Sequence, residues 1–235
     1  MSLLAVAIAA PAARACGVST ADGLSACSLA EHEEETRPRW RAGAAGLYTS
    51  TTIDFSGGLH SDETRGSLVA SLAYQPTKRL TLQLAAGSTL GGHLDTPAGV
   101  YQLAPGPTGA GGVSYRLLPG TKPFVILTAN LSFSAATTQL SGGTGAAVSY
   151  DAFDLRGGAL VGTTLWGVLS PYAVLRAFGG PIYWSYQGQS VTGTDAHHYQ
   201  VGAGLTLVLA RAVDLFVEGV PLGERSLAAG AAVAF

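Results

Sequence analysis

The chain has 235 residues, of which 12% are charged, and a formal net charge of −2. That is about half the charge of an ordinary soluble domain, and it excludes a polycationic nucleic-acid surface or a strong steering field. Mean hydropathy is positive, yet beyond the first fifteen residues no apolar run approaches the ~20 residues that a spanning helix needs. Hydrophobicity spread this thinly is the weak per-segment signal of a transmembrane β-barrel.

Residues 1–15, MSLLAVAIAAPAARA, predict a secretory signal peptide. An apolar core runs from Leu3 to Ala10, Pro11 breaks it, and Ala13-Arg14-Ala15 fits a small-x-small cleavage site, although no Lys or Arg precedes the core. The two cysteines, Cys16 and Cys27, flank a Gly/Ser/Asp-rich stretch. In an exported chain they are expected to form a disulfide; their spacing is wrong for a zinc knuckle. Ser28 and Glu31 make an S-x-x-E capping box, and Pro38 discourages helix at Arg37. Residues 16–38 thus read as a short periplasmic segment with a solvated helix. Its acidic cluster, Glu31, Glu33, Glu34 and Glu35, reads as a solvated face.

From Trp40 the pattern becomes strict alternation, the period-2 signature of strands. Leu68, Ala70, Leu72 and Tyr74 oppose Ser67, Val69, Ser71 and Ala73. Leu80, Leu82 and Leu84 oppose Thr81 and Gln83, and Leu127, Leu131 and Phe133 oppose Thr128, Asn130 and Ser132. Segments of about ten residues match a tilted strand crossing a bilayer. The spacing predicts ten strands, with eight or twelve also compatible, near 40–55, 63–74, 79–90, 105–117, 123–135, 149–165, 171–178 (or on to 184), 198–209, 213–220 and 225–235. Short turns such as QPTKR and LPGTK alternate with longer loops at 91–104, 136–148 and 179–197, as in bacterial outer-membrane barrels. Aromatics form two groups. Trp40, Tyr74, Tyr115, Trp166 and Tyr172 lie beside short turns; Tyr48, Tyr101, Tyr150, Tyr183, Trp184, Tyr186 and Tyr199 lie nearer the loops. The expectation is two interfacial girdles.

With the Leu/Val/Phe face on lipid, the other face fills the lumen. A charge network of Glu63, Arg65, Arg116, Asp154, Arg156, Arg176 and Glu218 is expected there, beside Gln83, Asn130 and Gln200, because buried charge must be paired. The network reads either as the lining of a narrow pore or as a structural plug.

The last residues, DLFVEGVPLGERSLAAGAAVAF, resemble the closing hairpin of the outer-membrane β-barrel proteins of Gram-negative bacteria. Leu227, Ala229, Ala231, Val233 and Phe235 stand at that family's alternating apolar positions and terminal Phe. The resemblance implies an all-β antiparallel barrel over residues 39–235, a location in the outer membrane, contact with outer-membrane lipid and lipopolysaccharide, and an ending recognised by the barrel assembly machinery. It implies no cofactor and no substrate, since fold alone assigns no job. The expected function is non-catalytic: a monomeric, porin-like narrow passive channel or a structural membrane protein. The alternative is a surface binding or adhesion protein acting through its loops.

Enzymatic readings rest on little. Asp195-Ala196-His197 is similar to the Asp-x-His pair of the omptins, ten-stranded outer-membrane proteases, but Asp95 and Asp151 are single and offer no acidic pair opposite. His60-Ser61 is no better as a lipid hydrolase. The loop histidines, His60, His93, His197 and His198, are too scattered to specify a metal.

Overall fold

The computed structural model describes residues 18–19, 25–26, 40–118, 123–143, 146–209 and 213–235. The expected signal peptide, capping box and Cys16–Cys27 disulfide lie outside the described residues. Ahead of the barrel, β1 (Val18–Ser19) and β2 (Ser25–Ala26) form a two-residue antiparallel ladder.

The barrel wall follows in chain order: β3 (Trp40–Phe55), β4 (Leu59–Tyr74), β5 (Leu80–Thr96), β6 (Gly99–Leu103), β7 (Gly106–Arg116), β8 (Phe124–Leu140), β9 (Val148–Gly162), β10 (Leu169–Gly179), β11 (Ile182–Tyr186), β12 (Gln189–Asp195), β13 (Tyr199–Leu209), β14 (Val213–Gly223) and β15 (Arg225–Ala234). Ten of these close a ring: β3-β4-β5-β7-β8-β9-β10-β13-β14-β15 and back to β3, all antiparallel. The ring zips shut where β15 meets β3, from Ala234↔Arg41 to Arg225↔Ser50. Closure leaves no edge, so every strand in lipid has its backbone paired.

Three strands belong to a second tier. The expected long loops at 91–104 and 179–197 are strands instead. β5 runs on to Thr96 and folds back as β6, which pairs with β8 above the start of β7. The β11–β12 hairpin pairs with β9 on one side and with β3 on the other. At the loop end the barrel is therefore a narrower ring of eight, β3-β4-β5-β6-β8-β9-β11-β12, standing on a ring of ten.

Faces follow the alternation. Outward side chains are large and apolar through the middle of the wall: Leu72, Leu84, Leu131, Leu155, Leu175, Val217 and Leu227 are all exposed. Exposed Trp40, Tyr115 and Trp166 ring the turn end, and Tyr48, Tyr183 and Tyr199 ring the loop end. The girdle expectation needs correcting for four aromatics. Tyr101, Tyr150, Tyr172 and Trp184 are buried inside the barrel. Two were legible: Tyr150 shares strand parity with Asp154 and Arg156, and Tyr172 with Arg176. Inward alternation overrides proximity to a loop or turn.

Two inward glycines stand where a side chain would collide with a neighbour. A Cβ on Gly204 would fall 2.2 Å from the Tyr172 ring, and one on Gly158 would fall 2.8 Å from Arg176 Cγ. These glycines give room to the two large polar side chains that reach across the barrel.

Candidate functional site

The interior is the chemically distinctive part of the molecule. Each inward position on a strand projects one side chain into a shared space, so residues distant in sequence meet there. Midway along the lumen a continuous polar chain links the inward faces of β9, β10, β13 and β14 and the turn after β14. Tyr172 on β10 donates to Glu218 Oε2 on β14 at 3.1 Å. Arg176 grips the same carboxylate through Nη2 at 2.8 Å. Its Nη1 donates to Gln200 Oε1 at 3.1 Å, and Gln200 Nε2 donates to Glu224 Oε1 at 3.2 Å. Glu224 accepts from Arg156 Nη2 at 2.8 Å, and Arg156 also pairs with Asp154. Arg156 stands over the Phe178 ring, 4.6 Å from its centroid.

A second group lies nearer the loop end. Tyr150 donates to Glu63 Oε2 at 2.8 Å. Arg65 lies 3.5 Å from Glu63 Oε1 and donates to Ser134 Oγ at 3.1 Å. Thr51 donates to Asp195 Oδ1 at 2.9 Å. At the turn end Arg41 pairs with Asp214, and Arg116 Nε donates to the Leu118 carbonyl at 3.0 Å.

All seven charges singled out from sequence thus lie on inward positions, but not as one network. Asp154, Arg156, Arg176 and Glu218 join the central chain; Glu63 and Arg65 form a separate pair; Arg116 stands apart at the turn end. Gln83, Asn130 and Gln200 are buried as well. Arg41, Asp195, Asp214 and Glu224 are inward too and were not picked out as lumen charges, Asp195 having been read in the Asp-x-His pair. Arg41 and Asp214 could have been found by parity at strand ends. Glu224 could not, because it sits in a turn where alternation stops. Gly223 there has a φ of 81°, a left-handed turn conformation that glycine adopts freely, and a Cβ on it would fall 1.7 Å from the Tyr199 carbonyl oxygen. That turn carries Glu224 inward over the lumen.

Apolar layers flank the polar chain. Ile53, Phe55, Leu94, Tyr101, Leu103, Tyr150, Ile182 and Trp184 form a cap within the narrow ring. Within it Trp184 donates to Thr138 at 2.7 Å, and Tyr101 meets Trp184 edge-on at 5.0 Å. Phe124, Ile126, Leu160, Tyr172, Val174 and Val220 pack on one side of the lumen, and Ala45, Val69, Phe216 and Ala228 on the other. Beside the chain, against β3, β4, β5, β7 and β8, a cavity of about 70 Å³ is lined by Arg65, Arg156, Glu224, Thr49, Ser67 and Ser132 among others. It has room for a few water molecules and none for a sugar or nucleotide. A larger groove, walled by Leu72, Leu84, Leu131 and Phe133 over Gly109 and Gly111, opens on the lipid-facing side.

The Asp-x-His pair is split because β12 ends at Asp195 and the chain bends away at Ala196. Asp195 is buried, and His197 is exposed. His60 and Ser61 likewise face opposite sides, outward and inward. Among the described residues no cluster of His, Cys, Asp and Glu could hold a metal ion.

No protein-family model matches the chain, and no curated protein matches it in sequence. Solved structures do match in fold. The translocator domain of the autotransporter NalP from Neisseria meningitidis aligns over 86% of this chain and 90% of its own, at 13% identity and a TM-score of 0.51. The outer-membrane protease OmpT from Escherichia coli aligns over 86% of this chain and 99% of its own, at 12% identity and a TM-score of 0.50. At such identity the likeness is one of fold. With its closed ten-strand ring, apolar outer face and polar interior, the chain has the fold of the bacterial outer-membrane β-barrels.

Proposed function

We propose that the protein is a non-catalytic structural barrel of the outer membrane with a sealed lumen, and not an open pore. The observation that carries this reading is the Tyr172–Glu218–Arg176–Gln200–Glu224–Arg156–Asp154 chain, which ties the inward polar groups of β9, β10, β13 and β14 to one another beside apolar clusters and a cavity of only about 70 Å³. A passive pore needs a continuous wet path, and here each polar group is turned on another side chain. Side chains filling the interior of a small barrel suit rigidity.

In this reading the turn end, with Trp40 and Phe235, faces the periplasm, and the two-tier end faces outward. The alternating stripe of Leu227, Ala229, Ala231, Val233 and Phe235 faces lipid, where the assembly machinery would meet it. The barrel is monomeric, with lipid and lipopolysaccharide as its neighbours. Planar-bilayer recording of detergent-refolded protein tests the proposal. Silence is expected; ohmic steps from the unmodified protein would overturn it.

A second reading, surface recognition through the loop end, is favoured by the structure of that end: the β5–β6 and β11–β12 hairpins form a collar with ordered strands. Excision of residues 182–195 would abolish adhesion to host-cell or matrix ligands if that reading holds.

A further inference from the structure

The β11–β12 hairpin is held to the wall by short ladders on either side. It joins β9 through Ile182↔Ala152, Tyr183↔Asp151 and Trp184↔Tyr150, and the Phe153 N–H donates to the Pro181 carbonyl at 3.0 Å. It joins β3 through Gly193↔Phe55, Thr194↔Asp54 and Asp195↔Ile53, and the Ala196 N–H donates to the Thr52 carbonyl at 2.8 Å. Its connections to the ring of ten are Gly180-Pro181 on one side and Ala196-His197-His198 on the other. It brings two things inward: the apolar side chains of Ile182 and Trp184, which enter the cap, and the carboxyl of Asp195, which enters the polar layer beneath.

Asp195 is poorly matched to that layer. Its hydrogen bond comes from Thr51 of β3. The other charged groups facing it are Glu63 and Arg65 of β4, Arg156 of β9 and Glu224 of the β14–β15 turn. Arg65 is engaged by Glu63, and Arg156 by Asp154 and Glu224. Tyr150 of β9 spends its proton on Glu63. His197 and His198 are exposed and do not reach inward. The described lumen holds five guanidiniums, on Arg41, Arg65, Arg116, Arg156 and Arg176, and six carboxylates once Asp195 is counted. A protonated Asp195 balances the interior. An ionised one adds an unpaired buried charge, which is costly.

We propose that Asp195 is a proton-operated latch: protonated, it holds the β11–β12 hairpin down on β3, and its ionisation lets the hairpin lift and uncover Trp184. Ile53, its partner on β3, lies five residues beyond the exposed girdle residue Tyr48, so the latch stands outside the membrane-spanning band. Burial first, and then Glu224, push the Asp195 carboxyl up to about 7. In a lifted, solvated hairpin it returns to the ordinary range near 4. Between those values the docked hairpin binds a proton that the lifted one does not. Docking therefore weakens as pH rises from about 4 to about 7, by up to about tenfold per pH unit, and levels off above that. From the sealed-barrel reading the latch takes only which end faces outward, and its readout is not conductance, so either can fail alone.

The chain has three tryptophans. In a Trp40→Phe, Trp166→Phe background, acrylamide quenching reports Trp184 alone. In detergent-folded protein, quenching should rise several-fold between about pH 4 and pH 7 and then flatten. Asp195→Asn should stay low and flat across that range, with the same heat-modifiable gel migration as its parent. Glu224→Gln, which removes the negative neighbour, should give a smaller rise at lower pH, and it serves as the test if the Asn variant does not fold. Quenching that is independent of pH in the parent, or a rise that persists in Asp195→Asn, or a profile unmoved by Glu224→Gln, would overturn the latch.

Discussion

The two tiers of the barrel hold together by different means. In the ring of ten, long ladders run uninterrupted, as from Trp40↔Tyr74 to Phe55↔Leu59 between β3 and β4. Its interior is cross-linked by ion pairs with no exposure at all, as between Arg176 and Glu218. In the ring of eight, β6, β11 and β12 contribute only short ladders, and the interior is an aromatic cap. The first tier is locked by charge in a dry space, where a missing partner is expensive; the second is held by apolar packing and a few hydrogen bonds. Lipid explains the contrast. Strands in hydrocarbon must be fully paired, whereas strands beyond it can also be satisfied by water. The second tier is where local opening should be easiest.

That comparison can be broken most forcefully at the centre. Glu218→Leu leaves Arg176 buried without its carboxylate and should destabilise the barrel by about 3–5 kcal/mol, read by urea unfolding in vesicles. Arg176→Met with Glu218→Leu should recover much of that loss, and a double variant as unstable as the single one would refute the ion-pair account. Next in size, Leu131→Lys puts a charge on the exposed lipid face and should cost about 2–4 kcal/mol near the midplane. The inward neighbour Ser132→Lys should not follow that depth-dependent penalty. Gly204→Leu should cost about 1–3 kcal/mol by overpacking against Tyr172, with Tyr172→Ala restoring part of it. The smallest effect belongs to the second tier. Thr138→Val removes the acceptor of the Trp184 indole and should cost about 1 kcal/mol. It should appear as faster hydrogen exchange in β11 and β12, with β3–β4 amides unchanged. Equal acceleration in both tiers would erase the distinction between them.

Strand parity carried most of this architecture. Period-2 alternation located all ten strands of the wall, and it placed Arg156 and Glu218 inward because charge cannot face lipid cheaply. The same rule, followed through at Tyr150 and Tyr172, would have moved both from the girdles to the interior. Parity stopped being informative where the chain turned. Glu224 is inward because Gly223 adopts a left-handed conformation, and no periodicity reports that. The Gly/Pro-punctuated stretches at 91–104 and 179–197 read as loops because their strands are short and pair with strands far away in sequence.

The sequence by itself determined the class of fold, the face of each strand that meets lipid, and the identity of most interior charges, because a bilayer imposes one local rule on every residue it touches. Only the tertiary structure decided which charge pairs with which, and that a narrower ring stands on the wide one. Those depend on how far neighbouring strands are staggered around the ring. Stagger is set collectively by closure, so it sends Arg156 to Glu224 and leaves Asp195 beside Glu63 and Glu224 without a cation of its own.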